Sequence, residues 1–454
     1  MSLSVVRSSE SLVKPREKTP CTTLELSAMD KVPVLRCNAR TLHVYKKGGK
    51  GAASAIREAL SRALVPYYPL AGRLKEYSTN PNIGLQVDCC GEGVWFVDAS
   101  SDSKLEHFNY FDDLIDASNY SAVSSSHDHL LPNHIHGSLL GDQPLVQIQV
   151  TRFACDGFVM GLVFSHIICD GLGAAQFLNA VGEFARGFDR LTVDPVWCRD
   201  FFLTNNTTTS TPPPPSPLPT IMPFVNYKLK EAHVDISMEQ IEKLKQHFQQ
   251  STGGAHKCST FEIVAASFWS CRTKAITITN SNSNDDVEEE MVRLVFFANC
   301  RQLMQPPLPE GFYGNCFFPV TIKASKKFVA NASVVEVVKM IQQGKAKLGE
   351  EFDNYRKSRN ENDGMEEERE DPFMQPLSYN TLFVSEWGRL GFNQVDMGWG
   401  QPLHIVPIQG SAIIPAGIVG WQPAPKRGIR LMSWCVEEPH RHLFLSHIMR
   451  LFTI

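Results

Sequence analysis

His166 and Asp170 are the residues of this sequence whose types and spacing most favour catalysis. A histidine titrates near neutral pH, so its imidazole can take a proton from a hydroxyl group while that oxygen attacks a carbonyl carbon. Asp170 follows four residues later, and a buried carboxylate needs a cationic partner. Arg301 is the candidate partner, because it follows a predicted strand that ends in Ala-Asn-Cys. His166 is therefore a candidate general base, and Asp170 and Arg301 are a candidate ion pair.

The same pair also has a structural explanation. A single histidine after a core strand is commonly a hydrogen-bonded core residue, and a His-x-x-x-Asp spacing among 14 histidines can arise by chance. On a helix this spacing would place both side chains on one face. The residues before His166 predict a strand, however, so the two side chains need not touch. The residues alone leave both explanations open.

A buried strand and an amphipathic helix are predicted to position His166. Residues 158–164 form an apolar run, which is typical of a strand covered on both faces. After Gly171 the apolar residues recur at helical spacing. Residues 145–153 alternate apolar and polar side chains and predict a second strand, paired with the first through a turn at 154–157. We therefore expect His166 where a core strand ends, a place where loops present side chains on a rigid support.

The rest of the chain predicts strands and helices on both sides of a Pro-rich segment. Further strands are predicted at 33–45, 85–97, 292–298, 317–322, 381–384 and 430–436, and further helices at 54–64, 259–275, 334–348 and 444–452. The segment TNNTTTSTPPPPSPLP can neither pack a core nor join a sheet, because its prolines lack the backbone donor. We therefore predict an α/β fold with two domains, residues 1–203 and 221–454, joined by a linker at 204–220.

Composition argues against several classes of protein. The net charge is −4 and no dense cluster of Lys or Arg occurs, so nucleic-acid binding is not expected. No apolar segment is long enough to cross a bilayer, and the N-terminus lacks the apolar core of a secretion signal, which predicts a soluble cytoplasmic protein without a membrane partner. The 12 cysteines show no paired CxxC spacing, so we expect free thiols and no metal. The acidic stretches 281–290 and 357–371 predict surface insertions.

A second motif, far along the chain, points to a family. The segment Val163–Gly171 (VFSHIICDG), together with DMGWG at 396–400, resembles the HxxxDG and DFGWG signatures of the plant BAHD acyltransferases. Supporting matches span nearly the whole chain: YYPLAGRL at 67–74, GEGVWFVDA at 91–99, ARG at 185–187 before PVWCRDFF at 195–202, STFEIVAASFWSCRTKA at 259–275 and GFYGN at 311–315. Two motifs in the right order with this much between them are highly specific.

The resemblance implies a structural role for the second motif, which consists of Asp396, Met397, Gly398, Trp399 and Gly400. Methionine stands where the family has phenylalanine, a tolerable apolar exchange. The resemblance also implies a monomer of two chloramphenicol-acetyltransferase-like domains, each a mixed β-sheet with flanking helices, joined by a long Pro-rich crossover.

By the same resemblance, His166 is the general base that deprotonates an acceptor hydroxyl or amine. The acceptor then attacks the thioester carbonyl of acyl-CoA directly, without an acyl-enzyme. Asp170 would pair with Arg301 and shape the loop, and Gly171 would permit the tight turn behind it. Acyl-CoA is then a co-substrate, and no cofactor is bound.

Four further residues match family positions that line the substrate channel. Ser259 and Thr260 match positions near its CoA end, where hydroxyls and helix N-terminal amides can meet a phosphate. A helix cap explains both residues equally well. Ser385 and Trp387 match a Ser/Thr-x-Trp segment, and the tryptophan is equally suited to a core.

The matching segments look closest to family members that move benzoyl or acetyl groups onto benzenoid, terpenoid or alkaloid alcohols. The resemblance thus predicts an O-acyltransferase that esterifies a plant specialised metabolite, with benzoyl-CoA or another aromatic acyl-CoA favoured over acetyl-CoA. Two alternatives stay open: a non-catalytic member that binds a small molecule or protein, and a hydrolase that uses His166. The hydrolase is disfavoured because no GxSxG elbow occurs and Ser165 directly precedes His166.

Overall fold

The strands of the described residues form three sheets, which belong to two units. The computed structural model describes residues 3–76, 84–112, 128–133, 141–202, 225, 227–278, 290–360, 371–408 and 414–453. The first unit comprises Met1–Pro215, Met304–Cys316 and Leu390–Gly410, and the second comprises Ser216–Leu303, Phe317–Arg389 and Ser411–Ile454.

The two units interleave along the chain, whereas the predicted domains are contiguous. Residues 304–316 and 390–410 fall within the predicted C-terminal domain, 221–454, and yet they pack in the first unit. The DMGWG motif is among them. The predicted linker at 204–220 lies outside the described residues, so its place between the domains stays a prediction.

The described residues form strands and helices in alternation. The strands are β1 (Val6–Val13), β2 (Thr23–Glu25), β3 (Asn38–Tyr45), β4 (Arg73–Glu76), β5 (Leu85–Asp88), β6 (Val94–Ser100), β7 (Val146–Arg152), β8 (Phe158–Ser165), β9 (Lys230–Glu231), β10 (Val234–Ser237), β11 (Met291–Asn299), β12 (Phe317–Ser325), β13 (Thr381–Glu386), β14 (His404–Pro407), β15 (Ala416–Trp421) and β16 (Gly428–Val436). The helices are α1 (Gly49–Ala63), α2 (Gly171–Ala185), α3 (Met238–Ser251), α4 (Thr260–Ile278), α5 (Lys326–Asn331), α6 (Val334–Asn360) and α7 (Glu438–Thr453).

The first unit is built on a six-stranded sheet in the order β1-β6-β7-β8-β3-β14, with a separate sheet in the order β2-β5-β4. Strands β6 and β7 pair in parallel, and the other pairs are antiparallel. Helices α1 and α2 pack against each other, and their apolar faces join the core of the sheet. The predicted strands at 145–153 and 158–164 and the helix after Gly171 are confirmed.

Strand β7 is buried on both faces, which its alternating pattern did not predict. Gln147, Gln149 and Thr151 are all buried. The amide nitrogen of Gln149 donates to the carbonyl of His129 at 2.8 Å and to the hydroxyl of Thr151 at 2.9 Å. These bonds replace the water that the side chain would otherwise bind, so a polar side chain can be accommodated inside the sheet.

The second unit is built on a seven-stranded sheet in the order β10-β16-β15-β13-β11-β12, with β9 also paired to β16. Strand β13 pairs in parallel with β11 and with β15, so this sheet is mixed as well. Both units therefore consist of mixed sheets with helices, which confirms the predicted α/β class. The helix predicted at 259–275 begins at the predicted cap, because Ser259 and Glu262 bond each other's backbone N–H groups at 2.9 and 3.2 Å.

Helix α6 is longer than predicted. It runs to Asn360, so residues 357–360 are helical and are not part of a surface insertion. Phe352 and Tyr355 are buried and three residues apart, which keeps one face of the helix packed well beyond the predicted end at 348. The remaining insertion residues 361–370, and residues 281–289 of the other predicted insertion, lie outside the described part of the chain.

Two further sequence expectations concern thiols and membranes. All 12 cysteines are thiols that form no disulfide among the described residues. Across the described ranges, no helix combines the length and apolar character that crossing a membrane requires.

His43 on β3 is expected to make the first unit less stable in acid. The ring is fully buried, and burial lowers its pKa from 6.5 to about 3. Below pH 6.5 the unfolded chain takes up a proton that the folded chain cannot, so stability falls by up to about 1.4 kcal/mol per pH unit until the folded pKa is reached. His43→Gln removes this contribution and can still reach the Thr41 hydroxyl, which lies 2.9 Å from Nε2. Urea unfolding at pH 7.5, 6.0 and 5.0 should show the difference between wild type and variant moving in favour of the variant as pH falls. Parallel pH dependences would contradict this expectation.

Candidate active site

His166 directly follows the inner strand β8. Its backbone N–H donates to the carbonyl of Cys37 at 2.9 Å, and the N–H of Ser165 donates to the carbonyl of Leu145 at 2.8 Å. These bonds continue the pairing of β8 with β3 on one side and β7 on the other. The sheet therefore holds the backbone of His166 from both sides.

His166 is also the one residue between Gly157 and Asp170 that keeps some solvent exposure. Every other residue in this stretch is buried. A polar ring that is partly open to solvent, on a backbone that is otherwise enclosed, can meet a small molecule without moving its support.

The environment of His166 favours its neutral form. Burial of most of the ring lowers its pKa below the usual 6.5, because the charged ring is poorly solvated there. Its own backbone, Asp170, Asn315 and Asp30 oppose part of this lowering, in that order. The ring is therefore neutral at pH 7, the state in which it can accept a proton.

Asp170 caps the N-terminus of α2. One carboxylate oxygen, Oδ1, accepts from the N–H of Gly173 at 3.0 Å, and Oδ2 accepts from the N–H of Cys316 at 3.3 Å. Aspartate is a preferred residue at this position, because its oxygen satisfies a helix N–H that has no partner within the helix. Its described hydrogen bonds thus go to backbone groups, which ties the helix to the segment that follows Asn315.

Gly171 and Gly173 both lie where an added Cβ would come close to a neighbouring residue. Gly171 does not have a positive φ, and its role in the tight turn stays a prediction. A Cβ there would lie 2.6 Å from a terminal methyl of Leu390. At Gly173 a Cβ would lie 1.9 Å from the carbonyl oxygen of Tyr313, which shows how closely α2 approaches the segment 311–315.

Gly173→Ala is therefore expected to destabilise the first unit by about 1–3 kcal/mol, because a backbone carbonyl must move to make room. Gly349→Ala in α6 is the matched control, since nothing lies within 4 Å of the added Cβ. That change should be neutral or stabilising by up to about 1 kcal/mol, because alanine favours a helix. Urea unfolding of both variants tests the contrast. Equal effects of the two substitutions would show that close packing at Gly173 is unimportant.

A buried ion pair lies behind the His166 loop, and sequence reasoning missed it. The Nε atom of Arg199 lies 2.9 Å from Oδ2 of Asp30, and the two side chains are 1% and 0% exposed. Asn315, also fully buried, donates from Nδ2 to Oδ1 of Asp30 at 2.8 Å. We name Asp30, Arg199 and Asn315 the buried polar cluster. The family-like segments PVWCRDFF and GFYGN contain two of its members, but nothing in the sequence marked Asp30.

Arg301, the predicted partner of Asp170, lies in the second unit just after β11. Its backbone N–H and its guanidinium Nη1 donate to the side-chain oxygen of Asn299 at 3.1 and 3.2 Å. The pairing of Arg301 with Asp170 stays a prediction.

The four predicted channel residues also lie in the second unit. Ser259 and Thr260 stand at the start of α4, where Ser259 Oγ accepts from the N–H of Glu262. Ser385 lies on β13, and the N–H of Trp387 donates to the carbonyl of Val419 at 2.8 Å. All four side chains are half-buried. The helix-cap explanation of Ser259 is thus realised, and contact of these residues with CoA stays a prediction.

The DMGWG motif forms a tight turn in the first unit. Asp396 Oδ1 accepts from the N–H groups of Gly398 and Gly400 at 2.8 and 2.9 Å. Both glycines have positive φ, 101° and 93°, which other residues adopt only with strain. Met397 is fully buried, and Trp399 packs edge-on against Phe158 of β8 with ring centres 5.8 Å apart. The motif therefore packs against β8, the strand that leads to His166, and supports it.

Within the described ranges, no three His, Cys, Asp or Glu side chains come close enough together to hold a metal ion. The arrangement around His166 suits proton transfer by a single neutral imidazole.

Comparison with known proteins adds the family. A family model described as the Transferase family matches residues 3–413. Acyl transferase 4 from Oryza sativa subsp. japonica is 38% identical over 469 residues, covering 99% of each chain. A myricetin 3-O-glucosyl 1,2-rhamnoside 6'-O-caffeoyltransferase from Crocosmia x crocosmiiflora is 33% identical and covers 98% of each chain. The 3'-N-debenzoyl-2'-deoxytaxol N-benzoyltransferase from Taxus canadensis is 34% identical, covering 88% of this chain and 84% of its own.

Solved structures share the fold. Vinorine synthase superposes with a TM-score of 0.69 at 20% identity, covering 99% of this chain and 98% of its own. TRI101 from F. sporotrichioides, complexed with coenzyme A and T-2, gives a TM-score of 0.67 at 13% identity, covering 93% and 97%. These likenesses confirm the predicted two-domain fold of the chloramphenicol-acetyltransferase type. The chain therefore belongs to the Transferase family, the BAHD acyltransferases that its motifs resemble, and is itself an acyltransferase.

Proposed function

We propose that this acyltransferase moves an acyl group from acyl-CoA to a hydroxyl of a small plant metabolite, with His166 as the general base. The proposal is supported above all by the state of His166, which keeps some solvent exposure, is neutral at pH 7 and is held at the end of a buried strand. A base must be unprotonated and must be able to reach the proton it removes.

The reaction then needs no covalent enzyme intermediate. The imidazole of His166 takes the proton of the acceptor hydroxyl while its oxygen attacks the thioester carbonyl. The resulting tetrahedral oxyanion collapses, the carbon–sulfur bond breaks, and the CoA thiolate takes the proton back from the imidazolium. None of the 12 cysteines is needed as a nucleophile.

We propose an aromatic acyl-CoA, such as benzoyl-CoA, as the donor. Relatives named for caffeoyl and benzoyl transfer support an aromatic group. Acetyl-CoA is the alternative donor, and a non-catalytic member that binds a small molecule is the alternative function. The N-benzoyltransferase among the relatives is a reason to test amines beside benzenoid, terpenoid and alkaloid alcohols.

The remaining proposals concern the surroundings of the reaction. Asp170 pairs with Arg301 and shapes the loop, while hydroxyls at Ser259 and Thr260 lie at the CoA end of the channel that Ser385 and Trp387 line. In this proposal the enzyme is a cytoplasmic monomer whose Pro-rich segment joins its two domains.

A competition assay tests the function directly. Purified protein receives equal benzoyl-CoA, caffeoyl-CoA and acetyl-CoA with a panel of alcohols and amines, and products are read by mass. Ester formed from an aromatic donor, and lost in the His166→Ala variant, is the expected result. Ester formed only from acetyl-CoA would select the alternative donor. Amide formed without ester would overturn the choice of a hydroxyl acceptor. Thioester hydrolysis without any acyl product would support a hydrolase, and absence of CoA binding would support the non-catalytic alternative.

Activity is expected to fall on the acid side with a midpoint below pH 6.5. The pKa of His166 is lowered, so the ring gains its proton, and ceases to be a base, only when pH drops through that lowered value. The check is kcat/KM between pH 5 and 8.5, with enzyme samples returned to pH 7.5 to show that activity lost in acid is recovered. A midpoint above pH 6.5 would contradict the assignment of His166 as the titrating base.

A further inference from the structure

Three consecutive carbonyl groups at the end of β8 bond to the buried polar cluster. The carbonyls of His166 and Ile167 accept from Nδ2 of Asn315 at 2.9 and 3.0 Å. The carbonyl of Ile168 accepts from Nη2 of Arg199 at 2.8 Å. In a strand, consecutive carbonyls point to opposite sides. These three carbonyls all bond to the same cluster, so the chain turns away from the sheet here, and the bonds fix that turn. Buried carbonyls need such partners, and here two side chains supply them, with the two hydrogens of Asn315 Nδ2 shared among the carbonyls of His166 and Ile167 and the carboxylate of Asp30.

Asn315 is in turn held in one orientation. Its Nδ2 atom lies 2.8 Å from Oδ1 of Asp30, and its backbone N–H donates to the same oxygen at 3.3 Å. Asp30 is fixed on its other side by Arg199 and by the N–H and hydroxyl of Ser27, at 3.0 and 2.7 Å. A buried carboxylate with this many partners cannot rotate without losing several hydrogen bonds. The amide of Asn315 therefore rests on a rigid base.

The side chain of Asn315, which bonds the backbone carbonyl of His166, also bears on the pKa of the ring. It is among the groups that favour the charged imidazole, together with the ring's own backbone, Asp170 and Asp30. A side chain that only filled space against the ring would lower its pKa further by burying it, whereas Asn315 opposes the lowering. The two observations, one on backbone geometry and one on electrostatics, concern the same amide.

We propose that Asn315 is a positioning residue for His166, which fixes the carbonyls of His166 and Ile167 and through them the direction and tautomer of the imidazole. The expected effect on catalysis rests on the proposed function. The expected effect on the direction and tautomer of the imidazole does not, because it can be measured in the protein without substrates. The two parts can therefore be tested separately.

The resting ring is tested by NMR. Protein labelled with ¹⁵N-histidine is titrated between pH 5 and 8, and the His166 signals are assigned by their loss in His166→Ala. Wild type should show one dominant tautomer. Asn315→Leu, which has similar size but no donor, should show a mixture of tautomers and a pKa lower than that of wild type. Asn179→Leu is the matched control, because Asn179 is half-buried in the first unit and, like Asn315, donates from its side-chain amide to two backbone carbonyls, those of Ala175 and Gly391, at 2.8 and 3.3 Å. It should leave the His166 signals unchanged.

Catalysis is tested by steady-state kinetics on the same proteins. Asn315→Leu should lower kcat by about 10- to 100-fold, because small misplacements of a catalytic group have effects of that order. The KM for acyl-CoA should change little, and the acid midpoint of kcat/KM should move to lower pH. Asn179→Leu should keep the wild-type pH profile even if it lowers stability.

The outcomes separate the two proposals. If Asn315→Leu does not fold, Asn315→Ser, which keeps one donor, replaces it and should show smaller changes in the same directions. Unchanged tautomer and pKa of His166 in a folded Asn315 variant would overturn the positioning role, whatever the activity. Changed ring signals in a protein whose wild type transfers no acyl group would overturn the proposed function and leave the positioning role supported.

Discussion

Replacing His166 with alanine is expected to lower the rate of acyl transfer by about 10²- to 10⁴-fold. The neutral ring is the one partly exposed side chain at the end of β8, and its removal leaves no other imidazole on that loop. Substrates can still bind, so the loss should appear in kcat and only weakly in the KM for acyl-CoA. Single-turnover rates measured with saturating acyl-CoA test this expectation.

Two controls make the result specific. His247→Ala removes an exposed histidine on α3 and should retain wild-type activity. Free imidazole added to His166→Ala should restore part of the rate, because a small base can occupy the space left by the ring. Turnover near the wild-type rate in a folded His166→Ala protein would exclude His166 as the base.

The local part of the site was predictable from the sequence because its signals are local. An apolar run that ends at Phe164, followed by helical spacing after Gly171, marks β8 and α2 within one short stretch. The cap at Ser259 was visible for the same reason, since its partner Glu262 is three residues away. Periodicity and capping depend on neighbours in the chain, so one sequence is enough to read them.

The rest of the fold depends on contacts between distant segments. Strand β14 pairs with β3 although more than 350 residues separate them, and no pattern in its four residues predicts a strand. Strand β1 was missed because its alternate residues are mostly exposed and polar. The polar face of β7 is buried because a second apolar group, which includes Leu42, Leu130 and Val163, covers that side of the sheet.

The buried polar cluster shows why the site itself was only partly predictable. The sequence predicts a cationic partner for Asp170, and its pairing with Arg301 stays a prediction, while the structure shows that its carboxylate caps α2. The structure shows a buried ion pair between Asp30 and Arg199, which are 169 positions apart in the sequence. Neither residue has a neighbour in sequence that would reveal burial, because burial comes from the packing of Phe312 and Tyr313 around the guanidinium.

Arg199→Met is expected to destabilise the first unit by about 3–5 kcal/mol. Methionine keeps the length of the side chain but removes the charge, which leaves the carboxylate of Asp30, 0% exposed, without its cation. Ser27 and Asn315 still donate to Asp30, but neutral donors compensate a buried charge only in part. The measurement is urea unfolding of wild type and variant at pH 7.5.

Arg430→Met in the second unit is the matched control. Arg430 is as buried as Arg199 and bonds Asp235 through two atoms at 2.6 Å, but Asp235 is 29% exposed and can be hydrated when the arginine is lost. We expect a loss of unfolding free energy below about 2 kcal/mol there.

Combining Asp30→Asn with Arg199→Met removes both charges. The loss of stability of the double variant should therefore be smaller than the sum of the losses of the two single variants, by about 0.5–3 kcal/mol. Equal losses for the two arginines, or strict additivity at Asp30 and Arg199, would show that the charge of Asp30 is compensated by its neutral donors alone. In that case the rigidity of the cluster would come from Asn315 and Ser27 rather than from the ion pair.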